Sequence, residues 1–238
     1  MTAMNHGDQG HPTAQPDPPP SDRDFSGSVR ASYDAVAPQY AARLGDELGH
    51  KALDRGLLRA FLDLAGADPI ADLGCGPGHI TRYLAARHPD VIGIDVSPHM
   101  IDVARTAAPD IIFTVGSLLD LPAGDDAFGG LVAMYSIIHL TDTDRSAACR
   151  EFARTLRPGG WLLIAFHTDA PGFPSGTANH LTTLFDAAVD LTFRFLAPDT
   201  VIGDLETAGF TIGATTIRQP VPTEYPSRRC YLLAQRLQ

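Results

Sequence analysis

Residues Asp68–Leu84 read DPIADLGCGPGHITRYL, and this stretch decides the fold. An apolar run ends at Leu73, glycines follow at Gly74, Gly76 and Gly78, and a helical pattern of apolar residues then begins. This order predicts a strand, a tight turn and a helix. Such a unit directs backbone N–H groups toward a ligand at the carboxyl end of the strand.

The glycine spacing excludes two common phosphate-binding loops. The dinucleotide fingerprint G-x-G-x-x-G requires glycine at the position that His79 occupies here. A phosphate loop of the G-x-x-x-x-G-K-[ST] type requires a Lys-Ser or Lys-Thr pair, which does not follow these glycines. We therefore favour a loop that lets another ligand approach the backbone closely, and a turn that uses glycine only for its positive φ is the alternative.

The composition is that of a globular protein. The chain has 238 residues, 44% hydrophobic and 19% charged, which suits one large α/β domain. A net charge of −10 without a Lys/Arg cluster argues against nucleic acid as a partner. No apolar run reaches the roughly 18 residues of a membrane span, and the first residues lack the features of a secretory signal. We expect a cytoplasmic protein with no membrane partner.

The three cysteines fit that compartment. Cys75, Cys149 and Cys230 show no paired spacing, as is usual for proteins of the reducing cytoplasm. Cys75 lies inside the glycine loop, where we interpret it as a small packing residue and not as a nucleophile.

Three regions are expected along the chain. Residues 1–24 are rich in Pro, Gly and Asp and predict a disordered tail. Residues 25–66 show apolar positions three to four apart and predict an N-terminal helical cap, with Pro38 breaking or kinking its first helix. Residues 67–238 predict the core, including a lid insertion at about 168–197.

Strands and helices alternate after the glycine loop, which predicts a parallel sheet. The second strand, Val91–Asp95, ends in a carboxylate that can accept hydrogen bonds from both hydroxyls of a ribose, although a turn-forming aspartate is the alternative. Ser97 and Pro98 predict the start of the next helix and place Met100 in its first turn. The tip of the third strand lies at the far end of the same site, where an adenine fits.

Two histidines follow strand tips and are candidate general bases. His139 comes after the fourth predicted strand and His167 after the fifth, and ligands of open parallel sheets bind at these ends. With an ordinary pKa near 6.5, His139 is the better candidate and His167 the weaker one. A histidine satisfied by a loop carbonyl is the alternative for both. Because these residues lack the spacing of a dedicated metal site, we expect no metal.

Aromatic residues of the cap and the lid are candidates for substrate binding. Tyr33 and Tyr40 lie on the first predicted helix and either close over the ligand or form an ordinary amphipathic face. In the lid, a helical run is predicted over 179–190, followed by a short extended stretch over 191–196.

Two arginines are candidates for holding a substrate carboxylate. Arg194 lies in the lid, and Arg228 follows the last connection, which also carries Tyr225 near the expected entrance. A guanidinium can hold a carboxylate with two hydrogen bonds. An ordinary surface ion pair between Glu224 and an arginine is the alternative.

Five segments together resemble the class I S-adenosylmethionine-dependent methyltransferases, in the order and at the spacing of that family. They read DLGCGPG, VIGID, FTVGSLLDLP, GLVAMYSIIHL and LRPGGWLLIAF. The similarity runs from about Ala31 to the C-terminus and is closest to small-molecule methyltransferases of actinobacteria. It implies a Rossmann-like seven-stranded sheet, mostly parallel with the last strand antiparallel, helices on both faces, and S-adenosylmethionine as the cofactor.

The resemblance also implies cofactor contacts. It assigns the glycine loop to the methionine part, Asp95 to the ribose and the third strand's tip to the adenine, where Ser117 replaces the aspartate of many relatives. Asp72 organises the loop or holds the cofactor's ammonium through water. The implied cofactor-binding residues are Asp72, Gly74, Cys75, Gly76, Gly78, Asp95, Val96, Met100, Ser117, Leu118 and Tyr135.

The expected activity is methyl transfer by in-line displacement to an oxygen or nitrogen, less often a carbon, of a small aromatic or apolar molecule. Positioning supplies much of the catalysis in such a reaction. We expect a monomer or homodimer. The alternatives are a non-methylating reaction on the same fold, such as a cyclisation, an NAD-dependent oxidoreductase, and a non-catalytic partner subunit.

Overall fold

The computed structural model describes residues 25–238, so the tail predicted over 1–24 lies outside the described residues. The helices are α1 (Phe25–Leu44), α2 (Ala52–Ala65), α3 (His79–Ala85), α4 (Pro98–Ala107), α5 (Asp142–Thr155) and α6 (Pro198–Thr207). The strands are β1 (Ile70–Leu73), β2 (Val91–Asp95), β3 (Ile112–Val115), β4 (Phe128–Met134), β5 (Leu156–Asp169), β6 (Ala178–Leu184), β7 (Ala187–Arg194), β8 (Phe210–Arg218) and β9 (Arg228–Arg236). Two short 3-10 helices cover Glu47–His50 and Ile137–His139.

Seven strands form one sheet in the order β3-β2-β1-β4-β5-β9-β8. Strands β1 to β5 pair in parallel, and β9 inserts antiparallel between β5 and β8. The predicted mostly parallel sheet with an antiparallel last strand is confirmed. The order reverses beside β1, so the carboxyl ends of β1, β2 and β4 meet at one edge, where ligands of such sheets bind.

Side chains of the central strands fill a core on both faces of the sheet. In β5, Leu162, Ile164 and Phe166 belong to one buried cluster, whereas Leu163 and Ala165 belong to the other. This alternation is the two-residue period of a strand covered on both sides. The rigid sheet therefore fixes the positions of its strand tips.

Helix α1 continues through Pro38, so the predicted break there is wrong. A proline lacks the N–H that would bond to the carbonyl four residues earlier, which is that of Asp34. In this protein that carbonyl oxygen lies 3.1 Å from the Nδ1 atom of His99 on α4. The His99 ring on α4 thus supplies a hydrogen bond to this carbonyl in place of the missing one, and the proline is tolerated inside the helix.

The lid segment contains a β-hairpin, so the helix predicted over 179–190 is also wrong. Strands β6 and β7 pair antiparallel and form a separate two-stranded sheet. The two-residue turn between them consists of Phe185 and Asp186, with φ of 51° and 66°. Left-handed φ values at both positions are typical of a type I′ hairpin turn. The edge of Tyr40 and the guanidinium of Arg43, both on α1, contact the Phe185 ring.

Helix α1 is joined to the core on one side and to the hairpin on the other. The Ser97 hydroxyl donates to Asp34 Oδ1 over 2.6 Å, which ties α1 to the start of α4. On the other side, the Asp190 N–H donates to Ser32 Oγ over 2.8 Å, and Ser28 Oγ lies 2.8 Å from the Asp190 carbonyl oxygen. Helix α1 therefore covers the edge where the strand tips meet. Within residues 25–238, no helix has the length and apolar character needed to cross a membrane.

Candidate active site

A cavity opens at the carboxyl ends of β1, β2 and β4, beneath α1. Its empty space, counted out to the open mouth, is about 1060 Å³. Ten of the eleven predicted cofactor-binding residues line it, and Gly78 is the exception. Those ten are Asp72, Gly74, Cys75, Gly76, Asp95, Val96, Met100, Ser117, Leu118 and Tyr135. The structure thus brings into one cavity ten residues that are spread over some 60 residues of sequence. Their contacts with the cofactor stay predictions.

The three glycines of the loop have different surroundings. All have left-handed φ values, between 53° and 80°. A Cβ on Gly74 would lie 2.3 Å from the Cβ of Ser136, and one on Gly78 would lie 2.8 Å from the Phe113 ring. A Cβ on Gly76 would meet no atom within 4 Å. Gly74 and Gly78 therefore allow the loop to pack, whereas Gly76 leaves open space where a ligand can approach the backbone.

Asp95 is held by two backbone donors at the tip of β2. The Gly76 N–H donates to its Oδ2 and the Ser97 N–H to its Oδ1, each over 2.8 Å. Each oxygen keeps a further lone pair for a ligand hydroxyl. Burial raises the pKa of Asp95 to about 6, against the lowering effect of these hydrogen bonds. As predicted, Ser97 caps α4, because its Oγ accepts from the Met100 N–H.

Asp72 lies at the end of β1 and is buried. The Thr81 hydroxyl donates to its Oδ2 over 2.7 Å, which links β1 to helix α3 across the glycine loop. Burial raises the pKa of Asp72 to about 6, although the hydrogen bond from Thr81 and the nearby His79 oppose the shift. Asp72 thus organises the loop, one of the two roles that the resemblance implies.

Two buried polar atoms beside the loop lack a hydrogen-bond partner among residues 25–238. They are Ser136 Oγ, next to Gly74, and His79 Nδ1. Both residues line the cavity. An unpartnered buried polar atom is costly in a folded protein unless a ligand or water completes it. These atoms fit a ligand with polar ends, such as the amino-acid part of S-adenosylmethionine.

Sequence reasoning missed Glu47 as a cavity residue. Its Oε1 lies 3.1 Å from His79 Nε2 and its Oε2 lies 2.7 Å from Lys51 Nζ. Burial works to raise the pKa of Glu47, but the hydrogen bond from His79 and the charge of Lys51 outweigh it and lower the pKa to about 2. In the sequence, His79 is notable only because it occupies the position of the third glycine of the dinucleotide fingerprint. No local pattern connects it with Glu47, which precedes it by 32 residues.

His139 and Tyr33 form a hydrogen-bonded pair in the cavity. His139 Nε2 lies 2.7 Å from the Tyr33 hydroxyl, and Nδ1 lies 2.9 Å from the Thr192 carbonyl oxygen. Burial lowers the pKa of His139 to about 4, and the nearby Arg194 contributes to the lowering. Burial also raises the pKa of Tyr33. Both groups are therefore uncharged near pH 7.

The surroundings of this pair are aromatic and apolar. Tyr40 contacts the Tyr33 ring edge-on, with 5.9 Å between ring centroids, and Phe193 contacts the His139 ring at 4.6 Å. Leu118, Leu119 and Leu140 complete this side of the cavity. Within the described part of the chain, no lysine or arginine lines the cavity.

His167 does not line the cavity. Its ring stacks on Tyr135 at 5.1 Å, and its Nδ1 lies 2.7 Å from the Ser227 hydroxyl. Burial and the charge of Arg229 lower the pKa of His167 to about 3. The expectation that the His167 side chain enters the cavity is wrong, because the Tyr135 ring lines the cavity and His167 stacks on that ring.

The predicted carboxylate clamp is also not at the cavity. Arg228 pairs with Asp169, with Nε 2.9 Å from Oδ2, and Tyr225 is half exposed outside the cavity. Arg194 lies near His139 without lining the cavity. Glu224 does pair with an arginine, Arg218, over 2.6 Å, but the pair is buried and is not the surface ion pair of the alternative interpretation. These corrections share a cause, since a position after a strand does not fix where a long side chain extends.

A buried charged cluster holds Tyr135 from behind. The Tyr135 hydroxyl lies 2.7 Å from that of Tyr231, which donates to Asp54 Oδ2 over 3.0 Å. Arg218 Nη2 lies 3.1 Å from Asp54 Oδ1, and Glu224 joins Arg218 to Lys51. Tyr135 itself has a left-handed φ of 61°, which is unusual for a bulky residue. The cluster fixes this strained residue at the tip of β4.

Comparison with known proteins finds similarity to methyltransferases over part of the chain. Residues 70–160 match the family model of a methyltransferase domain. The chain is 34% identical over 143 residues to N-demethylindolmycin N-methyltransferase of Streptomyces griseus, an alignment that covers 58% of this chain and 60% of that relative. Over the matched residues, the chain is therefore similar to known methyltransferases. It spans less than two thirds of the length of that Streptomyces relative.

Solved structures of this fold support the same architecture. Magnesium protoporphyrin IX methyltransferase of Synechocystis PCC 6803, solved with bound S-adenosylhomocysteine, superposes with a TM-score of 0.70 at 18% identity, covering 90% of this chain and 100% of that one. The 4+2 cyclase SpnF superposes with a TM-score of 0.68 at 19% identity, covering 89% of this chain and 97% of that one. At these identities, the likeness concerns the fold alone. The methyltransferase family uses S-adenosylmethionine as its methyl donor.

Proposed function

We propose that this protein binds S-adenosylmethionine and transfers its methyl group to an oxygen or nitrogen, less often a carbon, of a small aromatic or apolar molecule. The observation that carries this proposal is the arrangement of Asp95 beside Gly76. Two backbone donors orient the carboxylate, and the open side of the glycine faces the cavity. A ribose hydroxyl pair and an adjacent amino-acid moiety match these two features.

Different residues of this chain would contact different parts of the cofactor. The loop Gly74–Gly76, together with Ser136 and His79, would hold the methionine part, Asp95 the ribose, and the turn at Ser117 and Leu118 the adenine. The Ser117 hydroxyl accepts from the Leu119 N–H over 3.1 Å, so it stabilises its own turn. When bound, the cofactor supplies a methyl group already activated by a positively charged sulfur.

The acceptor would occupy the aromatic side of the cavity. Tyr33, Tyr40 and His139 line that side, and His139 is the candidate base for an acceptor that must lose a proton. The Streptomyces griseus relative is named an N-methyltransferase, which supports a nitrogen acceptor. The net charge of −10 disfavours nucleic acid as a partner and supports a small-molecule substrate. We also propose that the enzyme is cytoplasmic and that it acts as a monomer or homodimer.

Calorimetry with the Asp95→Ala variant tests cofactor binding. We expect at least a tenfold weaker affinity for S-adenosylmethionine, because the variant loses both carboxylate acceptors. Asp102→Ala, on the same side of the molecule but with an exposed carboxylate, serves as the matched control and should bind normally. Normal binding by Asp95→Ala would refute the cofactor assignment.

Product analysis separates methyl transfer from a cyclisation on the same fold. Incubation with labelled cofactor and candidate acceptors should release S-adenosylhomocysteine as the acceptor is consumed. Conversion of an acceptor with no release of S-adenosylhomocysteine would instead support the cyclase-like reaction.

A further inference from the structure

The acceptor side of the cavity carries no charge. Tyr33, Tyr40 and His139 are its polar members, and each is uncharged near pH 7 because burial disfavours its ionised form. The cavity also contains the carboxyl groups of Glu47, Asp72 and Asp95, and the charges of Glu47 and Asp95 add to burial in raising the pKa of Tyr40. A carboxylate or phosphate on the acceptor would therefore find no lysine or arginine among the lining residues to pair with, which is unfavourable in a buried site.

The hydrogen bonds of His139 fix where its proton resides. A carbonyl oxygen only accepts hydrogen bonds, so the nitrogen that faces Thr192 must be Nδ1–H. The neutral ring then has a lone pair on Nε2, and the Tyr33 hydroxyl donates to that lone pair over 2.7 Å. The Tyr33 oxygen keeps its own lone pairs, and Tyr33 is one of the residues that line the cavity. A proton that reaches Tyr33 from the cavity thus has a continuous path to His139.

We propose that the methyl acceptor is an uncharged O–H or N–H group on a planar molecule, and that its proton passes through the Tyr33 hydroxyl to His139. This inference rests on the proposed methyltransferase function. The inference assigns a catalytic role to Tyr33. In an ordinary lid helix, Tyr33 would only pack against its neighbours.

The step balances in atoms and charge. The acceptor's lone pair forms the new bond to the methyl carbon while the bond from that carbon to sulfur breaks, and the electron pair of the broken bond stays on sulfur. The acceptor's proton moves to Tyr33 Oη as the Tyr33 proton moves to His139 Nε2. A positive imidazolium thereby replaces a positive sulfonium, so the net charge of the buried site does not change. The low pKa of His139 then favours release of this proton to solvent.

Nuclear magnetic resonance of histidine-labelled protein tests the geometry without turnover. In the wild type, His139 should be the neutral Nδ1–H tautomer at pH 7, assigned by comparison with His139→Gln. In Tyr33→Phe, the pKa of His139 should rise, because the donor that stabilises its neutral form is lost while Thr192 and Arg194 on β7 still face the ring. The control is Tyr83→Phe, which removes a hydroxyl that donates to the Arg55 carbonyl on α2. It should leave the pKa of His139 unchanged. An Nε2–H tautomer, or no response to Tyr33→Phe, would overturn the relay.

Matched acceptors test the substrate class. The probes are hydroxybenzamides against hydroxybenzoates, and indoles against indole carboxylates, which differ in charge at similar shape. The wild type should methylate at least one uncharged probe, and its charged counterpart at least tenfold more slowly. Tyr33→Phe should lower kcat on that probe about 100-fold with little change in KM, as loss of general base catalysis does, and His139→Ala should do the same.

Three results would contradict the inference. They are a preference for the charged probes, wild-type kcat in Tyr33→Phe, and no transfer to any probe. In each case the calorimetric affinity for S-adenosylmethionine would still report separately on the methyltransferase proposal. Failure of the acceptor class is thus distinguishable from failure of cofactor binding.

Discussion

At the residue scale, Asp72 and Asp95 are acids of the cavity whose pKa is raised, whereas that of Glu47 is lowered. Both are buried with a pKa near 6, above the ordinary value of 3.8. A folded-state pKa above the unfolded one means that ionisation works against folding. The stability contribution of each group is present at low pH and is lost as the pH rises from about 4 through 6.

Asp72→Asn should therefore stabilise the protein at pH 8. Asparagine keeps an oxygen for the Thr81 hydroxyl but removes the buried charge, and a shift of about two pKa units corresponds to about 3 kcal/mol. Urea unfolding at several pH values should show this gain at pH 8 and its steady decline between pH 6 and 4. The exposed Asp110→Asn serves as a control. Equal stability of Asp72→Asn and wild type at pH 8 would contradict the account.

Residues whose interactions are local could be predicted from the sequence. The Gly76 N–H reaches Asp95 over 19 residues of sequence, and Ser97 caps its own helix, so spacing and residue type locate these residues. The pair of Tyr33 and His139 spans 106 residues and exists only because α1 docks over the sheet. No local pattern contains that information, and Tyr33 was equally compatible with an ordinary helix face.

At the element scale, the hairpin β6–β7 shows how a distant partner decides a local conformation. Its apolar residues at Leu181, Leu184 and Leu191 are three or seven apart and match a helical period. In the structure, the hairpin backbone bonds to serines of α1 some 160 residues away. Tertiary contacts thus select the extended state over the helix.

The hairpin turn is strained, and Asp186→Gly should relieve the strain. Glycine adopts the left-handed φ of 66° at no steric cost, so we expect a gain of up to about 1 kcal/mol. For a protein of this size, the melting temperature should rise by roughly 2 to 4 °C, as measured by calorimetry. Asp186→Ala keeps the steric cost and should not stabilise. If both variants melted at the same temperature, strain at this position would not be the cause.

At the scale of the whole molecule, the charged cluster behind Tyr135 joins distant parts of the fold. Asp54 on α2 bonds to Tyr231 on β9 and faces Arg218 on β8. Each of these side chains is largely buried. Removing one partner of such a cluster leaves the others charged or polar without compensation.

Asp54→Ala should destabilise the protein by about 3 kcal/mol, because Tyr231 loses its acceptor and Arg218, which still pairs with Glu224, loses one of its two buried carboxylates. Urea unfolding monitored by far-ultraviolet circular dichroism measures this. Asp63→Ala lies on the same helix with an exposed side chain and should change stability little. A loss below about 1 kcal/mol for Asp54→Ala would show that water replaces the missing carboxylate.

The parallel sheet could be predicted because strand and helix alternate from Ile70 to Val115 and again from Phe128 to Phe166. The resemblance added the antiparallel strand β9. The coverage of the sheet by α1 could not be predicted in detail, since it depends on single contacts such as that of Asp34 with Ser97.

The separation of the two-stranded hairpin sheet from the seven-stranded sheet has a consequence for protein engineering. Helix α1 supplies one wall of the cavity, the hairpin packs against α1 and His139 behind that wall, and neither segment contributes a strand to the larger sheet. The two segments contact each other through Ser28, Ser32 and Asp190 and can be transplanted together as a matched pair. A chimaera that receives both from a relative would exchange the acceptor wall while retaining the glycine loop, Asp95 and the folding core.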